Sequence, residues 1–267
     1  MKKVFLVASS IIQDDTSGFI TEYEKKGCKI DGILILSRQS GFFYRLRYFI
    51  RIIYLLKPNK LIKYITNFIA FIINKTTYRK IVSQWGNKSL FKFSEKKVNL
   101  ETYAKQNKIP LYHSAGFNPI QLSDICKHET LFVMYGGGIV DDKIINIRNA
   151  EFINTHMGKM PTYRGMNVIE WAVLEGNEPY ATTMLMNSKI DDGEIILEKK
   201  INIAKANSIS SLREQGFIAC YKLMAEAICK YKSREIGKTK QIGRPRYYYR
   251  MHPKISVILE KKLLVNK

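Results

Sequence analysis

The chain has 267 residues, 46% of them hydrophobic and 25% charged, which excludes wholesale disorder and allows one sizeable core. Its formal net charge of +21 is unevenly spread. Residues 41–98 hold thirteen Lys or Arg against one acid, and residues 229–267 hold twelve against two. Two basic segments on a nearly neutral body indicate an anionic partner, either phosphate groups, nucleic acid or a membrane surface. Solvated lysines kept for solubility explain the charge equally well.

The four cysteines form no C-x-x-C pair, and no histidine lies beside them at metal-ligand spacing. They are Cys28, Cys126, Cys220 and Cys229. We therefore expect reduced, mostly structural thiols in a cytoplasmic protein, and no metal.

The apolar run at residues 4–12 resembles a short signal peptide, but it is brief and no persuasive cleavage site follows, so a buried first strand explains it better. The longest uncharged stretch of the basic region, Tyr64–Asn74, is about half of the roughly 20 residues that a spanning helix needs. We expect no transmembrane segment.

Short β-rich runs alternate with helical patterns along most of the chain, which predicts an α/β fold with a mostly parallel sheet. Val4–Ser9 and Ile33–Ser37 are predicted to be buried strands with a helix over Gly18–Lys26 between them. Further helices are predicted over 99–107, 121–127, 142–148, 166–175 and 209–231, and strands over 110–113, 130–135, 151–156, 180–186 and 195–201.

This pattern predicts a catalytic core over residues 1–232, interrupted by a basic amphipathic insertion at 42–98, and a basic tail at 233–267. The insertion resembles a pair of helices that either lie on an anionic membrane surface or cover part of the sheet, and the second is the commoner outcome. In the tail, the sequence RPRYYYRMHP (244–253) is typical of a single-strand nucleic-acid binder or of an amphipathic strand, and we favour the strand.

The predicted strand at 151–156 ends in Asn154-Thr155-His156. Alternation places Asn154 and His156 on one face at the carboxyl end of a strand, where open α/β sheets bind ligands. An amide donor beside an imidazole suits acyl transfer, because the amide stabilises a developing oxyanion and the imidazole manages the proton. A carboxylate from the tight acidic turn at 190–193 would complete the set. A satisfied core histidine and a turn aspartate are the alternative.

The stretch 152–196 resembles the folate-dependent formyltransferase family, whose members act on glycinamide ribonucleotide, methionyl-tRNA or amino sugars. The similarity lies in N-x-H-x-x-x-x-P-x-Y-R-G, then W-A-x-x-x-G, then I-D-D-G-E-I-I. It covers residues 130–205 well, and the first strand and 99–130 loosely. The matching residues are Asn154, His156, Pro161, Tyr163, Arg164, Gly165, Trp171, Ala172, Gly176, Asp191 and Gly193.

The resemblance implies a Rossmann-like core, 10-formyltetrahydrofolate as co-substrate and a catalytic trio of Asn154, His156 and Asp191, with Asp192 as the alternative acid. It also implies a pterin pocket made by Tyr135, Gly136, Gly137, Gly138, Ile139, Asn187, Ile190 and Asp192. Substrate contacts would come from Lys159, Tyr163, Arg164 and Gly165. The chain departs from the family in having Gly158-Lys159-Met160 where Ser-Leu-Leu is usual.

Two observations bear on the amine. Enzymes of the family that act on tRNA carry a further β-rich domain, whereas about 35 residues follow the last helix predicted here. Purine-pathway members have a glycine-rich phosphate-binding turn after the first strand, where this chain has Ala8-Ser9-Ser10. We therefore expect a nucleotide-linked amino deoxysugar, or a lipid-linked one at the membrane surface, used for surface polysaccharide.

The alternatives are an enzyme similar to methionyl-tRNA formyltransferase, and a non-catalytic protein that binds folate or a membrane surface. We expect no nucleic-acid partner. A cytoplasmic location is expected, with peripheral contact at the inner membrane face through 42–98 as an option. A homodimer is compatible with the resemblance.

Overall fold

The computed structural model describes residues 2–12, 14–36, 97–135 and 140–265. Strands and helices alternate along these ranges, as the sequence predicts. Their order is β1 (Lys3–Ala8), α1 (Asp14–Lys25), β2 (Gly32–Leu36), α2 (Leu100–Asn107), β3 (Leu111–Ser114), α3 (Pro119–Ile125), β4 (Thr130–Tyr135), α4 (Asp142–Ile145), β5 (Ala150–His156), β6 (Arg164–Gly165), α5 (Val168–Leu174), β7 (Tyr180–Leu185), β8 (Ile195–Lys200), α6 (Ile209–Lys232), β9 (Tyr247–Tyr248) and α7 (Pro253–Val265).

Seven of these strands form one sheet in the order β3-β2-β1-β4-β5-β7-β8. The first five pair in parallel, whereas β7 runs antiparallel to both β5 and β8. The strand order reverses between β1 and β4, and in open α/β sheets such a point opens a crevice at the carboxyl ends of the strands. The predicted α/β fold with a mostly parallel sheet is confirmed.

The central strands have apolar side chains on both faces because helices cover both sides of the sheet. On one face, Leu6 and Ile153 join a buried cluster with Phe19 of α1 and Met224 of α6. On the other, residues that include Phe132 pack with α3 and α4. The buried apolar residues of β5, Phe152 and Ile153, thus lie in its middle, and its polar end emerges at the carboxyl edge.

The tail differs from its prediction. The strand expected over 244–253 is only two residues long, β9, which pairs in parallel with β6. Helix α7 follows and was not predicted. It contacts α5 and α6 and buries Leu259 and Leu263. The helix can begin at Pro253 because the first helical position does not need the N–H that proline lacks.

Two predictions concern residues that are largely outside the described ranges. The basic insertion at 42–98 falls there except for its last two residues, so its helices and its membrane contact stay predictions. The domain division at residue 232 also stays a prediction. Among the described helices, none combines the length and the apolar character that a bilayer crossing requires.

Candidate active site

The carboxyl end of β5 carries Asn154 and His156, two residues apart and therefore on the same side of the strand. Antiparallel pairing sets Asn154 opposite Met184 and His156 opposite Thr182 on β7. Between them Thr155 points to the other face, where its hydroxyl lies 2.8 Å from that of Thr183. The sheet therefore fixes the positions of the amide and the imidazole.

Nε2 of His156 lies 3.1 Å from the carbonyl oxygen of Tyr163 and 3.7 Å from Oδ2 of Asp191. Because a carbonyl oxygen can only accept a hydrogen bond, this contact requires a proton on Nε2. Nδ1 is then the ring nitrogen that can exchange a proton with a reacting group. The side chains of His156 and Asp191 are 13% and 15% exposed, so water screens their interaction only in part.

Asp191 is held in place by contacts on both its side chain and its backbone. Oδ2 accepts a hydrogen bond from the backbone N–H of Gly165 at 2.8 Å, and the carbonyl oxygen accepts one from Nε2 of Gln241 at 3.0 Å. Its φ of +50° is in the left-handed region, which costs a non-glycine residue on the order of 1 kcal/mol. These bonds offset that strain and aim the carboxylate at His156.

Asp192 has a different partner. Its Oδ1 lies 2.5 Å from the guanidinium of Arg164, whose side chain is 5% exposed. The guanidinium also donates to Oη of Tyr247 at 3.0 Å and to Oε1 of Gln241 at 2.6 Å. The geometry thus places Asp191 beside His156, and it places Asp192 in an ion pair with the buried guanidinium of Arg164.

The other residues predicted to contact substrate have protein partners. Tyr163 is buried, stacks on Tyr248 with ring centroids 5.1 Å apart, and donates its hydroxyl to Glu175 at 2.7 Å. Burial and the Glu175 carboxylate raise the pKa of Tyr163, so it stays a hydrogen-bond donor. Lys159 is exposed, with its ammonium 4.7 Å from the ring centroid of Tyr180. Substrate-binding roles for Lys159, Tyr163, Arg164 and Gly165 stay predictions.

Two glycines permit the close approaches on which this arrangement depends. A Cβ at Gly158 would lie 2.3 Å from the carbonyl oxygen of Tyr163, the oxygen that contacts His156. A Cβ at Gly193 would lie 1.5 Å from the carbonyl oxygen of Leu185. The departure from the family pattern at Gly158 therefore has a structural counterpart, because here the loop passes directly over that position.

A cavity of about 210 Å³ lies at the carboxyl ends of β4 and β5, on the crevice side of the sheet. Asn154 lines it together with Asp15 of α1 and Tyr135 of β4. Its remaining lining is Met134, Thr155, Met157, Phe217, Cys220, Tyr221 and Met224. Asn154 and the Asp15 carboxylate thus line the same space, which is large enough for a small group.

The predicted pterin-binding residues are only partly described. Gly136, Gly137, Gly138 and Ile139 lie outside the described residues. In the second segment, Asn187 donates to the carbonyl oxygen of Asp192 at 3.1 Å, and Ile190 is half exposed. Those pterin contacts stay predictions. Within the described ranges, no three His, Cys, Asp or Glu side chains are grouped to bind a metal ion.

Sequence reasoning did not identify Asp15 or Gln241. The acidic pair Asp14-Asp15, between the first strand and the predicted helix, was a usable signal for Asp15, because α1 begins at Asp14 and not at Gly18. Gln241 had no local signal, since it is 50 residues from the turn that it binds.

A family model described as formyl transferase matches residues 126–228, a range that contains Asn154, His156 and Asp191. Residues 126–228, about two-fifths of the chain, therefore match the formyl transferase family. The predicted resemblance is confirmed, while the roles of individual residues stay predictions.

Relatives and solved structures show the same similarity. A methionyl-tRNA formyltransferase of Desulforamulus reducens is 29% identical over 133 residues, which cover 48% of this chain and 42% of that protein. The bifunctional polymyxin resistance protein ArnA of Wigglesworthia glossinidia brevipalpis is 26% identical over 66% of this chain and 27% of its own length. The chain thus spans less than half of these relatives.

An N-formyltransferase from Helicobacter canadensis, solved in complex with folinic acid and dTDP-3-aminofucose, shares the fold with a TM-score of 0.56 and 12% identity. The alignment covers 99% of this chain and 81% of that one.

Proposed function

We propose that this protein transfers the formyl group of 10-formyltetrahydrofolate to the amine of a nucleotide-linked or lipid-linked amino deoxysugar. The observation that carries the proposal is the contact between Nε2 of His156 and the Asp191 carboxylate, with Asn154 beside it at the cavity. An amide donor, an imidazole and a carboxylate in this order suit attack of an amine on an acyl carbon.

The residues divide the reaction between them. Bound 10-formyltetrahydrofolate would supply an activated formyl group: the bond from the amine to the formyl carbon forms, the bond from that carbon to N10 breaks, and N10 takes up a proton as tetrahydrofolate leaves. Asn154 donates a hydrogen bond to the formyl oxygen as negative charge develops there, and Nδ1–H of the His156 imidazolium donates a second. The Asp191 carboxylate stabilises the imidazolium through Nε2 and helps to collect the proton that the attacking amine loses.

The volume and the charge of the cavity suit a small amine as the reacting group. Its volume of about 210 Å³ accommodates the reacting amine and the carbons beside it rather than a whole nucleotide. Asp15 supplies a negative charge in the lining of the same cavity, which favours an amine as the group that enters. We infer that the acceptor amine approaches Asn154 from the side of α1.

Support for an amino sugar comes from sequence and from neighbours of the same fold. Ala8-Ser9-Ser10 after β1 lacks the glycine-rich turn of the purine-pathway enzymes, and the net charge of +21 suits a pyrophosphate-bearing substrate. The Helicobacter canadensis neighbour was solved with a nucleotide-linked amino sugar. Its low identity shows the fold alone, so its ligand defines a substrate class to test.

Methionyl-tRNA is the second candidate, because several curated relatives of 27–31% identity are methionyl-tRNA formyltransferases. The matched segments cover only about two-fifths to half of those enzymes. The similarity alone therefore does not assign their substrate to this protein.

The test is turnover of 10-formyltetrahydrofolate, followed by its absorbance change, against nucleotide-linked amino sugars, methionyl-tRNA and glycinamide ribonucleotide. We expect tetrahydrofolate release with an amino sugar. His156→Ala should lower kcat by about 10²- to 10⁴-fold, whereas the matched control His128→Ala, an exposed histidine of the α3–β4 loop, should not. Turnover with methionyl-tRNA alone would favour the second candidate, and no turnover with any amine would contradict catalysis.

A further inference from the structure

Cys28 and Cys229 are 201 residues apart in the chain, yet their sulfur atoms lie 2.6 Å from each other. Cys28 follows the end of α1, and Cys229 lies in the last turn of α6. Both side chains are partly accessible, whereas Cys126 and Cys220 are 3% and 8% exposed. The close pair is therefore also the pair that a small reagent can reach.

The position of Cys28 is set by the helix end before it. The N–H of Gly27 donates to the carbonyl of Glu24 and the N–H of Cys28 donates to that of Tyr23, while Gly27 has a φ of +71°. This is the Schellman arrangement, which fixes the two residues after a helix. The thiol is thus presented to α6 by ordered backbone, and a small shift brings the sulfurs to the bonding distance of about 2.05 Å.

We propose that Cys28 and Cys229 form a reversible disulfide that joins α1 to α6. In the first step, the Cys28 thiolate attacks a low-molecular-weight disulfide RSSR, which forms a mixed disulfide and releases RS⁻. In the second, the Cys229 thiolate attacks Sγ of Cys28 and releases the second RS⁻. Two thiols lose two electrons and two protons, RSSR becomes two RSH, and a reducing dithiol reverses the change.

The order of the steps follows from the surroundings of the two sulfurs. Burial, and then the thiol of Cys28, raise the pKa of Cys229 to about 12, so Cys229 is a poor first nucleophile. The ammonium groups of Lys26 and Lys232 lie close enough to oppose that rise, and they favour its thiolate in the second step. Cys28 therefore reacts first and Cys229 resolves the adduct.

Formation of this disulfide would covalently link two helices that line the candidate active site. Asp15 belongs to α1, and Phe217, Cys220, Tyr221 and Met224 belong to α6. The two helices pack directly on each other. A covalent link at one end of this pair restrains the unfolded chain and thereby stabilises the fold.

The test uses the full chain, reduced and then treated with oxidised glutathione, with remaining thiols blocked before non-reducing digestion and mass spectrometry. We expect an intramolecular peptide pair joining Cys28 to Cys229, lost on treatment with dithiothreitol. The Tm of the oxidised protein should rise by about 5–10 °C. Cys229→Ser should accumulate a glutathione adduct on Cys28, whereas Cys28→Ser should leave Cys229 mostly unmodified.

The control is Cys126→Ser, which should keep both the cross-linked peptide and the Tm rise. Free thiols at both positions after oxidation, or a mixed disulfide on Cys28 that Cys229 fails to resolve in the wild-type protein, would overturn the proposal. An oxidised wild-type protein with the Tm of the Cys28→Ser variant would do the same. None of these readouts depends on formyl transfer.

Discussion

Oδ2 of Asp191 lies 3.7 Å from Nε2 of His156 and accepts a hydrogen bond from the N–H of Gly165 at 2.8 Å. One carboxylate oxygen of the acidic turn thus contacts both the segment before α5 and the end of β5. Because Asp192 binds Arg164 instead, the two acids of the turn have separable tasks. Asp191 contacts the imidazole, and Asp192 contacts the buried guanidinium of Arg164.

Replacing Asp191 by Asn should remove the negative charge beside His156. It should keep a side-chain oxygen that accepts the hydrogen bond from the N–H of Gly165. We expect kcat for formyl transfer to fall by about 10²-fold or more, because a neutral amide does not stabilise the imidazolium. The Tm should change little. The matched control is Asp124→Asn, an exposed carboxylate on α3. A variant that keeps a tenth of the wild-type kcat would remove Asp191 from the mechanism.

The main expected effect of Arg164→Ala is a loss of stability. The guanidinium is buried against Asp192, Gln241 and Tyr247, and its loss leaves three polar groups without their partner. We expect the free energy of unfolding to fall by about 3 kcal/mol, the lower end of the range for a broken buried pair, because Asp192 is 25% exposed to water. Denaturant titration measures this change.

Arg246→Ala is the control for that experiment, since Arg246 makes a more exposed ion pair with Glu175 at 3.4 Å. It should cost at most about 1 kcal/mol. Equal losses for the two variants would contradict the view that Arg164 anchors the acidic turn.

The sequence predicted those parts of the site that depend on local patterns. Asn154 and His156 could be placed on one face of a strand end because side-chain alternation is a local property. The contact of Gln241 with the carbonyl oxygens of Asp191 and Gly193 could not be predicted, because tertiary packing brings together segments about 50 residues apart. Helix α7 was missed because Pro253 was interpreted as part of a strand and not as a helix start.

Gly158→Ser tests the departure from the family pattern. A Cβ there would lie 2.3 Å from the Tyr163 carbonyl oxygen and 3.1 Å from Cδ2 of His156, so the loop must move away from the imidazole. We expect a lower kcat, by about 10-fold or more, since small misplacements at a catalytic group are costly. Gly116→Ser, where a Cβ meets nothing within 4 Å, is the control. Unchanged kcat would show that the Tyr163–His156 contact is dispensable.

Asp15→Asn tests the inference that the acceptor amine enters the cavity from α1. Asp15 lines the same cavity as Asn154 but belongs to a different element, so we expect its charge to act on the amine more than on the imidazole of His156. If the carboxylate attracts the amine in its ammonium form, its loss should raise KM for the amine substrate by about 10-fold, the effect of about 1.4 kcal/mol of binding, while KM for 10-formyltetrahydrofolate stays the same. Steady-state kinetics with each substrate varied in turn separate the two constants, and Asp124→Asn again controls for the loss of a surface charge. An equal rise in both KM values would indicate a general distortion of the cavity, and an unchanged KM for the amine would exclude Asp15 from its recognition.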